Sequence, residues 1–184
     1  MRLMNTIWAD RSDIHDSLTS HEQLVSWTRQ CGYADPEPPA AAHLTRTRTL
    51  RDTLRSLAAE AVADDRPGAV NPDITTGWAL AQLAEFTHHA TPRLERAGET
   101  GAFTLGWDLH TDGYDRFLTT IAVQATTMLT ESADRLSACH GPGCVLYFFR
   151  THGRREWCSA TCGNRARVAR HYKRHKKTGH AQHG

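Results

Sequence analysis

The sequence predicts a mainly α-helical fold, with a helical N-terminal domain and a small C-terminal module that contains four cysteines. In several stretches of residues 1–134, apolar residues recur at steps of three and four, as they do along one face of an amphipathic helix. The four cysteines and a strongly basic segment come after this region. A chain of 184 residues has room for one ordinary domain and one small one.

The N-terminal domain is predicted to contain four helices and a small β-hairpin. The apolar periodicity places the helices at His21–Gln30 and at residues 40–63, 73–89 and 114–129. A proline-rich loop at 34–39 and the run DDRPGAVN at 64–71 separate them. A turn at 97–99 predicts the hairpin, with residues 102–105 in its second strand. Residues 131–138 are predicted to continue or close the last helix and to lead into Cys139.

The four clustered cysteines have a spacing that suits a metal ion. Cys139 and Cys144 form a C-x4-C pair, and after thirteen intervening residues Cys158 and Cys162 form a C-x3-C pair. Thiolates at such intervals are what a tetrahedral zinc ion requires. We expect one zinc ion with a structural role, since four thiolates leave no coordination position open for water.

The segments around the cysteines predict how the module folds. Two glycines and a proline between the first pair permit a tight turn, and residues 145–149 (VLYFF) are typical of a short strand. Ser159 is a predicted N-cap that places Cys162 in the first turn of a helix ending near Lys176. A knuckle, a hairpin and then a ligand-bearing helix is the order of a treble-clef zinc module. We expect zinc to supply much of the folding energy, because about forty residues provide little core.

The charge of the chain is divided between its two parts. From residue 139 onward there are ten Lys/Arg and one acid, Glu156, whereas the preceding residues contain twelve Lys/Arg and nineteen Asp/Glu. A compact basic module on an acidic body favours nucleic-acid binding over a merely solvated surface. The predicted phosphate contacts are Arg165, Arg167, Arg170, Lys173, Arg174, Lys176 and Lys177. Asn164 or an arginine would read a base edge.

Other candidate sites have weaker support. His171 and His175 are four residues apart and could complete a two-Cys two-His finger, but this would leave Cys158 and Cys162 without a role. His140 is an alternative ligand. Cys31 is expected to be a small buried residue and not a redox sensor. Two further sets could bind a metal or an anionic effector, although a helix surface and pairing with nearby acids are the simpler interpretations: His88–His89, and Arg46, Arg48, Arg51 and Arg55.

Several classes of protein are disfavoured. No apolar run approaches the roughly 18 residues of a membrane span, and the first residues lack the apolar core of a secretion signal. A cytoplasmic, nucleoid-associated location is therefore expected. The sequence lacks a P-loop, a dinucleotide-binding glycine pattern and a nucleophile elbow, so an enzymatic activity is not expected.

A family resemblance supports the same interpretation. Residues 162–165 spell CGNR within WCSATCGNRARV, which closely resembles the CGNR zinc finger at the C-terminus of bacterial proteins regarded as transcription regulators. Cys139 and Cys144 match the first ligand pair of that finger in position. In that family an ABATE domain comes first, and Met4-Asn5-Thr6, the helix near Trp27 and the LRDTLR segment at 50–55 are similar to it. The resemblance implies four cysteine ligands to zinc, and DNA binding.

Together these features predict three segments and a regulatory function. Residues 1–134 form an ABATE-like helical domain, 135–178 the zinc finger, and 179–184 a disordered tail. The predicted function is that of a zinc-dependent DNA-binding transcription regulator, whose N-terminal domain senses a small-molecule effector or mediates association, for example as a homodimer. The alternative is a zinc module that binds RNA or docks on a protein.

Overall fold

The fold is mainly α-helical, as predicted. The computed structural model describes residues 1–10, 12–98, 101–151, 153 and 155–180, without the side chains of residue 97 and residues 175–180. The helices in these ranges are α1 (His21–Gln30), α2 (His43–Ala61), α3 (Thr76–Thr87), α4 (Gly113–Glu131) and α5 (Ala160–His180). The strands are β1 (Ile7–Ala9), β2 (Ile14–Asp16), β3 (Ala90–Ala97), β4 (Ala102–Leu109), β5 (Leu136–Ala138) and β6 (Tyr147–Phe149).

The helix boundaries follow local capping. α1 has the predicted bounds because Ser20 and Gln23 form a capping box at its start, and Gly32, with a φ of 80°, follows its end. α3 begins three residues later than predicted. The hydroxyl of Thr75 accepts the backbone N–H of Trp78 at 3.2 Å and fixes the first turn there.

Helices α2, α3 and α4 build the main core. α2 contributes five of the buried apolar residues of this core, and ten of its residues between Thr47 and Ala59 are buried in all. Leu50, Leu118 and Ala122 are completely shielded from solvent. Met4 also lies in this core, in a short 3-10 helix at Met4–Thr6 that packs against α2.

The hairpin β3–β4 is longer than predicted and projects from the helices. Its strands pair antiparallel over eight residues each, with Leu94 opposite Leu105. Leu94, Phe103 and Leu105 are 72%, 63% and 49% exposed. The ribbon therefore presents an apolar face that the described residues do not cover.

α4 ends at Glu131, and residues 136–138 form a strand. These three residues neither continue nor close the helix, so this detail of the prediction was wrong. β5 pairs antiparallel with β6, and Ala138 lies opposite Tyr147. The first cysteine pair is therefore at the tip of a hairpin, whereas the sequence placed the hairpin after that pair.

The β5–β6 hairpin is anchored in the body of the protein. Leu136, Ala138 and Tyr147 belong to the main core, together with residues of α2 and α4. The boundary at 134 stays a prediction, and within the predicted tail residues 181–184 lie outside the described residues.

Candidate metal centre

The β5–β6 hairpin and the start of α5 position the cysteines. Cys139 directly follows β5 and its N–H donates to the carbonyl of Leu146 at 2.9 Å, while the N–H of Cys144 donates to the carbonyl of Gly141 at 2.8 Å. Cys162 lies in the first turn of α5. Its N–H donates to the hydroxyl of Ser159 at 3.2 Å, as expected for the predicted N-cap.

The sulfur atoms converge to the size of one metal site. All four Sγ atoms lie within 4.8 Å of one another. The distance from Cys158 is 3.8 Å to the Sγ of Cys144 and 3.5 Å to the Sγ of Cys162. A tetrahedral zinc ion with Zn–S bonds of about 2.3 Å holds its sulfurs about 3.8 Å apart. The cluster thus fits one zinc ion.

The site is largely shielded from solvent. Cys139, Cys144 and Cys162 are buried, and Cys158 is partly buried. Phe148 and Trp157 pack against the sulfurs. Four sulfur ligands in an apolar surround form a structural zinc site, in which no position is left for a reactive water.

The electrostatics of the cluster favour the binding of a cation. Hydrogen bonds from Cys144 and Cys158 lower the pKa of Cys139, and the hydrogen bond with Cys139 in turn raises the pKa of Cys144 to about 11. The bare cluster therefore favours a thiolate at Cys139 and resists a second one at Cys144. A divalent ion removes this resistance, since it favours the anionic form of every ligand.

Two donors support the sulfurs from outside. The N–H of Cys158 donates to the Sγ of Cys139 at 3.3 Å. Arg165, the arginine of the CGNR motif, donates from Nη2 to the Sγ of Cys162 at 3.0 Å. Hydrogen bonds to ligand sulfurs offset their negative charge and orient them, as outer contacts do in metal sites generally.

Gly141 lets the turn between Cys139 and Cys144 approach α5 closely. A Cβ atom at this position would lie 2.9 Å from the Cβ of Cys162 and 3.4 Å from its Cα. Any side chain here would push the two ligand pairs apart, so the glycine is needed for the sulfur geometry.

A buried network that has no signal in the sequence connects the body of the protein to the knuckle, the turn from Cys139 to Cys144. Arg66 donates from Nη1 to the carbonyls of Cys139 and Cys144, at 2.7 and 2.9 Å. Its Nε and Nη2 each donate at 2.6 Å to the two carboxylate oxygens of Asp64, which also accepts the hydroxyl of Tyr147 at 2.7 Å. Both ligands of the first pair are thus fixed by a side chain from the loop after α2.

The α2 arginines divide into two groups. Arg46, Arg48 and Arg51 pair with acids, which confirms the simpler interpretation for these three. Arg55 is 2% exposed and has carbonyl partners instead. It donates to Met4 at 2.7 Å and to Val145 at 3.1 Å, so it joins the N-terminal segment to the residue after Cys144.

The basic residues of α5 occupy different environments. Arg167 donates to Oδ1 of Asn164, and Arg170 lies with its guanidinium carbon 5.8 Å from the centre of the Trp157 ring. Arg167, Arg170, Lys173 and Arg174 are exposed, whereas Arg165 is partly buried. The side chains of Lys176 and Lys177 lie outside the described residues.

The alternative ligands do not join the cluster. Among the described residues that could bind a metal, the group of sufficient size consists of the four cysteines, without His140 or His171. The side chain of His175 lies outside the described residues. Cys31 is partly buried and outside this group.

In the described part of the chain, no helix has the length and apolar character needed to cross a membrane.

Comparison with known proteins agrees with the geometry of the metal centre. The model of the ABATE family, described as "Putative stress-induced transcription regulator", matches residues 1–132, and the CGNR zinc finger model matches residues 135–175. The curated proteins gave no match. The chain therefore belongs to the ABATE family, and its C-terminal part is a CGNR zinc finger.

Proposed function

We propose that this protein is a zinc-dependent DNA-binding transcription regulator, in which α5 contacts DNA and the N-terminal domain senses a ligand or mediates association. The observation that supports this proposal most directly is the run of exposed cations on α5, a helix that begins at the four-cysteine cluster. The family description points to transcription regulation. The DNA contact and the sensing role go beyond that description.

The charge of α5 supports a phosphate partner. Arg167, Arg170 and Arg174 follow one another at steps of three and four along the exposed side of the helix. The sequence contains no Asp or Glu after Glu156. Cations packed this closely repel one another, and an anionic polymer alongside removes the repulsion.

The shape of α5 suits a groove of duplex DNA. The helix runs over 21 residues, so it is about 30 Å long. The major groove of B-DNA is about 12 Å wide and admits an α-helix. Val168 and Tyr172 are 54% and 71% exposed on this helix, and we assign them apolar contacts with sugars or bases.

The zinc ion would organise the helix and take no part in chemistry. Four thiolate ligands leave it without an open position, and we propose no reaction for this chain. Because Arg165 donates to the Sγ of Cys162, we expect its replacement to affect zinc retention as well as DNA affinity.

The test is a titration of labelled duplex DNA with the zinc-loaded full chain at several salt concentrations. If about five phosphates are engaged, log K should fall against log salt with a slope near −4.5. Replacing Arg167, Arg170 and Arg174 by Ala should reduce both the affinity and this slope. A matched control removes three exposed arginines of the body, Arg29, Arg48 and Arg96, and should leave both nearly unchanged.

The same titration separates the alternatives. A salt-insensitive affinity, or equal effects of the two triple variants, would refute α5 as the contact surface. The affinity for labelled structured RNA, measured at the same salt concentration, is compared with the affinity for duplex DNA. Clear preference for RNA would replace this proposal by an RNA-binding one, and absence of binding to both would favour docking on an acidic protein.

A further inference from the structure

An apolar pocket lies between the N-terminal segment and α4. Its volume is about 450 Å³, within the usual range of small-molecule sites. Trp27 of α1, Phe117, Ile121 and Met128 of α4, and Phe149 of β6 contribute to its lining. This set of side chains suits the apolar body of a small molecule.

The charge that lines the pocket is positive. Arg2 lines it, and its lining contains no Asp or Glu. The guanidinium donates to the carbonyl of Gln30 at the end of α1 and interacts with the thiol of Cys31, which also lines the pocket. Arg2 is exposed and has further N–H donors for an incoming anion.

The geometry points to a binding site for a small apolar carboxylic acid, with its hydrocarbon or aryl part in the pocket and its carboxylate at Arg2. Gln124, which is exposed on α4 and also lines the pocket, is a second donor for the head group. This site is defined without reference to DNA, so it does not depend on the proposed role of α5.

Phe149 connects the pocket to the zinc finger. It belongs to β6, whose neighbouring residue Phe148 packs against the cysteine cluster. Tyr147 of the same strand is part of the main core. An occupant of the pocket would therefore contact the helical body and the strand that leads from the first cysteine pair.

Calorimetric titration of the zinc-loaded full chain with decanoate, below its micelle concentration, tests the proposal. Decan-1-ol and decylammonium serve as neutral and cationic probes of the same length. We expect saturable one-to-one binding of decanoate and weaker binding of the other two. Arg2→Ala should weaken decanoate binding by about tenfold or more, with little effect on decan-1-ol. Arg29→Ala, which removes an exposed arginine outside the pocket lining, should leave decanoate affinity unchanged.

Cys31 provides a second measurement at the site itself. Decanoate should slow the alkylation of Cys31 by iodoacetamide, followed by peptide mass spectrometry. Ile121→Trp should fill the pocket and abolish both binding and protection, with its circular dichroism melt reporting whether it folds. Absence of saturable binding, or binding that leaves Cys31 unprotected, would overturn the proposal. Equal affinities for decanoate and decylammonium would overturn the assignment of an anionic head group.

Discussion

Arg66 contributes to stability through charges that are almost fully removed from water. Its side chain is 11% exposed and that of Asp64 is 0% exposed. Burial acts to raise the pKa of Asp64, but hydrogen bonds from Arg66 and Tyr147 outweigh it, and the net pKa is lowered. The carboxylate therefore stays charged inside the protein and depends on its partners.

Arg66→Ala should destabilise the protein strongly. The substitution leaves a buried carboxylate and two knuckle carbonyls without their donor, and breaking a buried pair in this way costs about 3 kcal/mol or more. Urea unfolding of the zinc-loaded protein would measure the loss. Arg29→Ala, at an exposed arginine, is the control, and an equally small change for both variants would contradict the role assigned to Arg66.

Replacing a ligand cysteine should reduce the bound zinc, whereas replacing the fifth cysteine should not. Cys162→Ser should lower bound zinc well below one ion per chain, because the ligand set is incomplete and the first turn of α5 loses its attachment. Cys31→Ser should keep one zinc ion per chain, since this residue is not part of the cluster. Elemental analysis of the dialysed proteins measures both. Full zinc in the Cys162 variant would remove this residue from the ligand set.

Residues with local signals could be predicted from the sequence, whereas residues with distant partners could not. The spacing of the cysteines predicts that they are metal ligands, and the position of Ser159 three residues before Cys162 predicts that it is an N-cap. Arg66 gives no such signal. Its carbonyl partner on Cys139 is 73 residues away in the chain, and any residue type can supply a carbonyl. Only the folded structure brings these groups together.

The start of α5 links helix formation to the zinc site. Ser159→Ala removes the hydroxyl that accepts the N–H of Cys162 and should cost about 1 kcal/mol. Since this turn carries a ligand, the variant should also lose zinc more readily to a competing chelator. Ser159→Thr keeps a capping hydroxyl and should behave nearly as the unmodified protein does. The same zinc affinity in all three would show that the cap does not matter.

At the scale of elements, prediction succeeded where a segment is defined by its own residues. α1 has both a capping box and a glycine stop, and its bounds were predicted correctly. β5 has three residues, and its identity as a strand depends on hydrogen bonds to β6 across the cysteine knuckle. The β3–β4 ribbon was predicted too short. Its strands do not bury one face, so buried and exposed residues do not alternate along them and the usual sequence signal of a strand is weak.

At the scale of the molecule, zinc should control the order of one part of the chain. Complete chelation should remove amide protection from residues 160–174, because little besides the metal attaches α5. α2 and α4 should stay protected, since they share the main core. Hydrogen exchange with mass spectrometry resolves these segments, and returning zinc should restore α5. Continued protection of α5 without zinc would contradict a metal-dependent finger.

The contact between Arg66 and the knuckle limits how freely the two parts of this protein can be exchanged during evolution or engineering. A finger transplanted from a relative would keep its own metal ligands but would meet a foreign loop beneath them. Its carbonyls at the positions of Cys139 and Cys144 would need a new donor of the same length and charge. We therefore expect working chimeras to inherit the loop at residues 64–69 along with the finger.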